Sequence, residues 1–164
     1  MPVIPSPRLT NFGIFLIAVV AMLVALGLQH YQHLEPCPLC IFQRMAMMAA
    51  GAIALLAFLH GPARAGRRIY AGLTLLATVT GIAVAGRHVW LQYLPPEEVP
   101  SCGPGLDYWL DTFPLFEVVG KVLRGSGECA GIDWVFLGVT LPGWTLAVFA
   151  GLAAVAVWQL FRRN

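Results

Sequence analysis

The sequence predicts an all-α membrane protein: a bundle of four transmembrane helices with a short amphipathic helix in the second of its two outer loops. Three observations lead there. Of the 164 residues, 59% are hydrophobic and only 11% are charged, and the mean hydropathy is +0.76. A soluble domain of this size has too much surface for its volume to hide so much apolar side chain, so a bilayer must supply the burial. Four stretches are each apolar over roughly the 20 residues that a helix needs to cross a bilayer. The basic residues, finally, gather at points that share one side of a four-span topology.

The four spans run approximately over 12–28, 41–59, 69–90 and 144–161, within a single membrane domain covering 1–164. They are rich in Ala, Leu, Val and Gly without strand-like alternation, and a helix satisfies every backbone group internally. The second span is the weakest. Its uninterrupted apolar core begins only at Met45, so its first turn belongs at the interface. The first span carries a cleavage-like triplet, Ala25-Leu26-Gly27, but its apolar run is long for a signal peptide and its leader has only Arg8. It is therefore expected to stay as a membrane helix.

Arg8, the Arg64/Arg67/Arg68 cluster and the Arg162/Arg163 pair fall on one side. The other side holds loops 29–40 and 91–143. In the longer of these, seven acids (Glu97, Glu98, Asp107, Asp111, Glu117, Glu128, Asp133) face two bases, Lys121 and Arg124. Lys and Arg set orientation, so the arginine-bearing side and both termini are expected to be cytoplasmic. The net charge of +2, with no basic run, gives no footprint for nucleic acid.

All four cysteines then lie outside: Cys37 and Cys40 in the first loop, Cys102 and Cys129 in the second. Three readings compete. Two structural disulfides would staple the loops, giving a non-catalytic scaffold. A zinc cage needs tight spacing in both halves, which Cys102 and Cys129 lack. Redox exchange suits Cys37-Pro38-Leu39-Cys40 best, because a Cys-x-x-Cys ring is small and readily opened. A helix is expected to begin at about Leu39, placing both sulfurs near the partial positive charge of its N-terminus, which favours a thiolate. Arg44 lies one turn deeper on the same face as Cys40. Snorkelling explains many such arginines, but an intramembrane charge beside a reactive thiol is the stronger candidate for function.

The second loop is too long for an idle connection. Pro100-Ser101-Cys102-Gly103-Pro104-Gly105 is not helical, and reads equally as a plain turn or as an extended segment offering Cys102 to a partner. From Phe113 to Arg124 the period becomes helical. Leu115, Phe116, Val118, Val119, Val122 and Leu123 share one arc, opposite Glu117, Lys121 and Arg124. This helix is expected to lie flat on the outer leaflet or to pack on the bundle. Gly125-Ser126-Gly127 ends it and reads as a hinge before Cys129. At the outer end of the third span, His88 is either a proton carrier or a solvated interfacial imidazole. His30, His33 and His60 show no ligand spacing, while Trp90, Tyr93 and Trp144 suit an aromatic belt.

These features together resemble the DsbB family of bacterial inner-membrane disulfide bond formation proteins. The residues that carry the resemblance are Glu-Pro-Cys-Pro-Leu-Cys-Ile-Phe-Gln-Arg (35–44), His-Val-Trp-Leu-Gln-Tyr-Leu-Pro-Pro (88–96) and Gly-Glu-Cys-Ala (127–130). Asp133-Trp-Val-Phe-Leu-Gly and Leu141-Pro-Gly-Trp add to them. The resemblance implies a multi-pass inner-membrane protein with its active cysteines in the periplasm. It implies reoxidation of a periplasmic DsbA-like thiol oxidase, with electrons handed to a membrane quinone, ubiquinone or menaquinone; such a chain keeps the periplasm oxidising. By motif position it implies that Cys102 is attacked by the partner and that displaced Cys129 attacks Cys37. Cys40 is then left as a thiolate against the quinone, with Arg44 and His88 as quinone-binding residues. A vitamin K epoxide reductase-like protein shares the four-helix logic, but its Cys-x-x-Cys is expected late in the bundle rather than at the start of the second span.

Overall fold

The computed structural model describes residues 6–132 and 134–162. Asp133, one of the outer acids, and Arg163, of the C-terminal basic pair, lie outside the described residues. Four helices are long and apolar enough to cross a membrane: α1 (Pro7–Gln32), α2 (Pro38–His60), α3 (Arg64–Gln92) and, after two short helices, α6 (Leu141–Phe161). All four outrun the apolar stretches read from the sequence, and at the start of α3 Arg64 to Arg68 are helical too. Hydropathy marks the part of a helix that suits hydrocarbon. Polar turns at its ends keep their backbone bonds without adding to that signal.

The helix ends follow from local chemistry. Ser6 caps α1 by accepting from the Leu9 amide at 3.2 Å, and Pro7 occupies the first turn, where its missing N–H costs nothing. Cys37 caps α2 in the same way, its Sγ accepting from the Cys40 amide at 3.4 Å with Pro38 following. At the far end of α2, Gly61 takes the left-handed conformation at φ 55°. The Arg8 guanidinium packs there and donates to the carbonyls of Phe58 (3.3 Å) and Leu59 (3.5 Å). Arg8 is thus a helix cap as well as a charge on the basic end.

Packing runs in the order α1, α2, α3, α6, with extensive contact between successive members and only sparse contact between α1 and α6. Lipid tails are as apolar as leucine, so close backbone approach rather than hydrophobic expulsion holds such helices together. The inner face of α2 is accordingly small: Ala46, Ala50, Ala54 and Ala57 are buried, and Gly51 lies against Ala18 of α1. Gly81 of α3 lies against the fully buried Phe149 ring of α6, leaving no room for a Cβ. At the arginine-bearing end, Gln159 of α6 donates to the Asn11 side chain of α1 at 3.1 Å, a polar clasp between helices that otherwise scarcely meet. Among the described residues, no buried side-chain nitrogen or oxygen lacks a hydrogen-bond partner, as burial away from water demands.

The segment between α3 and α6 folds over the cysteine-bearing end of the bundle. It contains α4 (Leu106–Thr112), α5 (Leu115–Arg124), a 3₁₀ turn (Gly127–Cys129) and a hairpin of β1 (Val135–Phe136) and β2 (Val139–Thr140). Of these, only α5 is the amphipathic helix expected from the sequence. Its apolar arc is divided: Val118 and Val122 are buried against the bundle, whereas Leu115 is 70% and Phe116 77% exposed. Packing on the bundle therefore takes one edge of the arc and leaves the other available to lipid. The seven-residue α4, too short to show a period, buries Trp109 against Gly103. The hairpin turns through Leu137 (φ 52°) and Gly138 (φ 78°), the double positive φ that a two-residue turn requires.

Gly81→Leu is expected to destabilise the bundle by about 1–3 kcal/mol through overpacking, read as a lower melting temperature in detergent. Adding Phe149→Ala should recover much of that loss. Equal melting temperatures for the single and double variants would show that the two residues do not share this contact.

Candidate active site

The site begins at the first turn of α2. Because Cys37 is the N-cap and Cys40 follows three residues later, the two sulfurs are held on one edge of the helix start, 3.1 Å apart. Both thiols are partly buried, and one side of the pair is walled by α3. There His88 is buried at 3% exposure, which removes the solvated reading of this imidazole. Its ring lies along the dithiol, with Nε2 3.8 Å from Cys37 Sγ and Nδ1 3.9 Å from Cys40 Sγ. Gln43, also buried, places its Nε2 3.0 Å from His88 Nδ1.

On the loop side of the pair lies Cys129, 1% exposed at the end of the 3₁₀ turn, with Ser126 Oγ 3.8 Å from its sulfur. A hydrogen bond with Cys37 pushes the Cys129 pKa up, and burial adds to the shift, so this sulfur is held as a thiol. Cys102 is exposed. It sits beside Gly127, where an added Cβ would lie 3.0 Å from its sulfur, and the Gly127 amide donates to Ser101 O at 3.4 Å. The four cysteines therefore run from an exposed sulfur, past a glycine, to a buried one and on to the α2 pair. The Gly125-Ser126-Gly127 segment is packed in this arrangement, with Ser126 buried. Its glycines serve close approach: Gly125 at φ 84° rests on Leu91, and Gly127 on Cys102.

Arg44 does not reach back to Cys40. Its guanidinium crosses to α1, donating to the Gln29 side chain and, at 3.3 Å, to Ala25 O. There it forms part of the wall of a cavity of about 1130 Å³ that also includes Cys37, Cys40 and His88. Apolar side chains of α1, including Leu16, Ile17 and Val20, also line it. The donor atoms of Cys37, Cys40 and His88 fall within 4.8 Å of one another, but the two ring nitrogens face different sulfurs and Gln43 occupies Nδ1. That geometry suits hydrogen bonding between ring and dithiol better than a shared cation.

Sequence reasoning passed over two residues here. Gln43 is three residues beyond Cys40 and polar in an apolar span, a signal that was available. Arg87 donates to the carbonyls of Leu123 (3.1 Å) and Arg124 (2.8 Å) and stacks 4.1 Å over Trp90. It thereby caps α5 just before the turn that carries Cys129, a contact across 36 or more residues that no local pattern announces.

A family profile described as disulfide bond formation protein DsbB matches residues 7–159. Similar curated proteins bear the name disulfide bond formation protein B. One from Acinetobacter baumannii is 56% identical over 158 residues, 96% of this chain and 92% of that protein. Another from Nitrosococcus oceani is 50% identical over 157 residues, 96% and 93% of the two chains. A third, from Stutzerimonas stutzeri, is 42% identical over 159 residues, 97% and 98%.

In fully reduced protein at neutral pH, iodoacetamide should modify Cys102 at least about tenfold faster than Cys129, since the thiolate is the nucleophile and burial withholds it. The Cys129 rate should go on climbing through the alkaline range, because its pKa is raised. Arg87→Met should narrow the gap by freeing α5. Peptide mass spectrometry reads all three, and equal neutral rates for the two cysteines would contradict the packed position of Cys129.

Proposed function

The chain belongs to the DsbB family, as a multi-pass bacterial membrane protein of disulfide bond formation, and from that premise we propose that it is a protein-dithiol:quinone oxidoreductase. It takes electrons from a periplasmic DsbA-like thiol oxidase, passes them through its two cysteine pairs, and delivers them to ubiquinone or menaquinone. The observation that carries this reading is that Cys40, Arg44 and His88 line one cavity together with apolar side chains of α1. The volume, about 1130 Å³, suits a ring with part of an isoprenoid tail. Polar groups gather at the cysteine-bearing end, and the α1 side chains offer a surface for the tail. The Arg44 guanidinium has five N–H donors and spends two on Gln29 and Ala25, so donors remain for a carbonyl oxygen. Sparse contact between α1 and α6, which both line the cavity, leaves a lateral path from the lipid.

In the oxidised protein Cys102 pairs with Cys129, and Cys37 with Cys40. The partner's thiolate attacks exposed Cys102, and Cys129 departs with the electron pair. Cys129 attacks Cys37, forming an interloop disulfide and freeing Cys40 as a thiolate at the cavity wall. The partner's second thiol then resolves its bond to Cys102. Cys102 attacks Cys129, which releases Cys37 as a thiolate beside Cys40, and the pair closes to a disulfide only as its two electrons pass to the acceptor. A quinone bound in the cavity accepts two electrons and two protons, balancing the one dithiol oxidised. Arg44 holds the head group and stabilises negative charge on the Cys40 side. Both termini and the arginine-bearing end lie in the cytoplasm on this reading, and the cysteines in the periplasm.

Purified protein given reduced partner and a short-chain ubiquinone should bleach the quinone absorbance, and Cys40→Ser should abolish that activity. Normal turnover by Cys40→Ser would overturn the proposed route. Arg44→Ala is expected to raise the KM for quinone about tenfold, equivalent to about 1.4 kcal/mol, with the KM for the partner within about twofold. An unchanged quinone KM would leave Arg44 as a strut between α2 and α1.

A further inference from the structure

The Gln43–His88 contact makes the two sulfurs of the pair chemically unequal. Gln43 is 5% and His88 3% exposed, so neither exchanges its partner freely with water. The side-chain nitrogen of Gln43 lies 3.0 Å from His88 Nδ1, and an amide nitrogen only donates. Nδ1 must then accept, which in a neutral imidazole leaves the ring's one N–H on Nε2. Nε2 faces Cys37 at 3.8 Å, whereas the sulfur nearest to Nδ1 is Cys40, at 3.9 Å.

We infer that Gln43 is a positioning residue that fixes the His88 tautomer, directing the imidazole N–H to Cys37 and withholding it from Cys40. This inference rests on the quinone-reductase reading and assigns the site a division of labour. Cys37 is the sulfur that leaves when Cys102 attacks Cys129, and an N–H beside it stabilises the charge it gains on leaving. Cys40, which lines the cavity beside Cys37, receives no such donor from the ring, because Nδ1 is already occupied. Were the ring turned to the other tautomer, the N–H would face Cys40 and Cys37 would leave without help. No bond to carbon or sulfur is made by the ring.

The tautomer can be read directly. Full-length protein labelled with ¹⁵N-histidine, reduced, free of quinone and at a pH where the ring is neutral, should show His88 with a pyrrole-type Nε2 and a pyridine-type Nδ1. The resonance is identified by its loss in His88→Asn. Gln43→Glu, whose carboxylate only accepts, should move the proton to Nδ1, and the volume-conserving Gln43→Met should give a mixture of tautomers. Both variants should lower kcat at least tenfold while the KM values for quinone and partner stay within twofold. A wild-type ring protonated on Nδ1 would overturn the inference even if neither variant folds. So would an unchanged tautomer and kcat in both variants. Wild-type protein that shows the expected tautomer but reduces no quinone would count against the quinone reading and leave the Gln43–His88 assignment standing.

Discussion

Cys37 Sγ accepts a hydrogen bond from the amide of Cys40 at 3.4 Å, and the rest of the site is arranged around that contact. A sulfur in place of the usual cap oxygen puts a nucleophile where the helix presents unpaired N–H groups. The same bond sets the spacing of the pair, since the cap and the third residue of the helix are neighbours by construction. Pro36 and Pro38 bracket Cys37, and Pro38 fits the first helical turn. Everything that must meet the dithiol is then brought to it from other elements: an imidazole from α3, a thiol from the 3₁₀ turn and a cavity wall from α1.

Bringing those elements together depends on how tightly the bundle packs. Alanine and glycine along α2, and Gly81 against Phe149, let α1, α2, α3 and α6 approach closely in sequence. The ring of four is left incomplete between α1 and α6. There the Asn11–Gln159 bond closes the arginine-bearing end, while the cysteine-bearing end keeps its cavity. A uniformly packed bundle would gain contact between those two helices and lose the space beside Cys40. Close contact and open space thus divide along the length of the same two helices.

This division explains what could be read from the sequence. The four spans, the cysteine order, the Arg44 position and the amphipathic character of α5 are local properties, carried by composition, spacing and period. The helix ends were less legible, because the turns at Arg64 and Gln29 are helical without being apolar. His88 looked as much like a solvated interfacial side chain as a working one, since burial depends on what packs against it, here Cys37, Cys40 and Gln43 at the start of α2. Arg87 carries no local signal of its role, since its guanidinium caps a helix 36 or more residues away. Gln43 was hidden in plain view within the motif, because a single polar residue in a span does not name its partner. Arg44 shows the converse. Its place on the helix was correct, but its hydrogen bonds go to α1 rather than to the thiol beside it.

On the proposed route, the asymmetry of the cysteines gives the exchange its direction. Cys102 is exposed and Cys129 is 1% exposed, so a protein partner can reach only the first without rearrangement of the loop. Cys129 is held as a thiol by Cys37 and by burial, so it is a poor nucleophile until it leaves a disulfide already carrying charge. That condition would couple the two proposed exchanges: Cys129 would become reactive as the partner attacks Cys102, with Cys37 close to it. Burial therefore does more than protect the inner pair from stray thiols. By making the free thiol inert and the departing thiolate reactive, it would favour passing electrons inward over losing them to solvent, along a path that ends at Cys40 on the cavity wall.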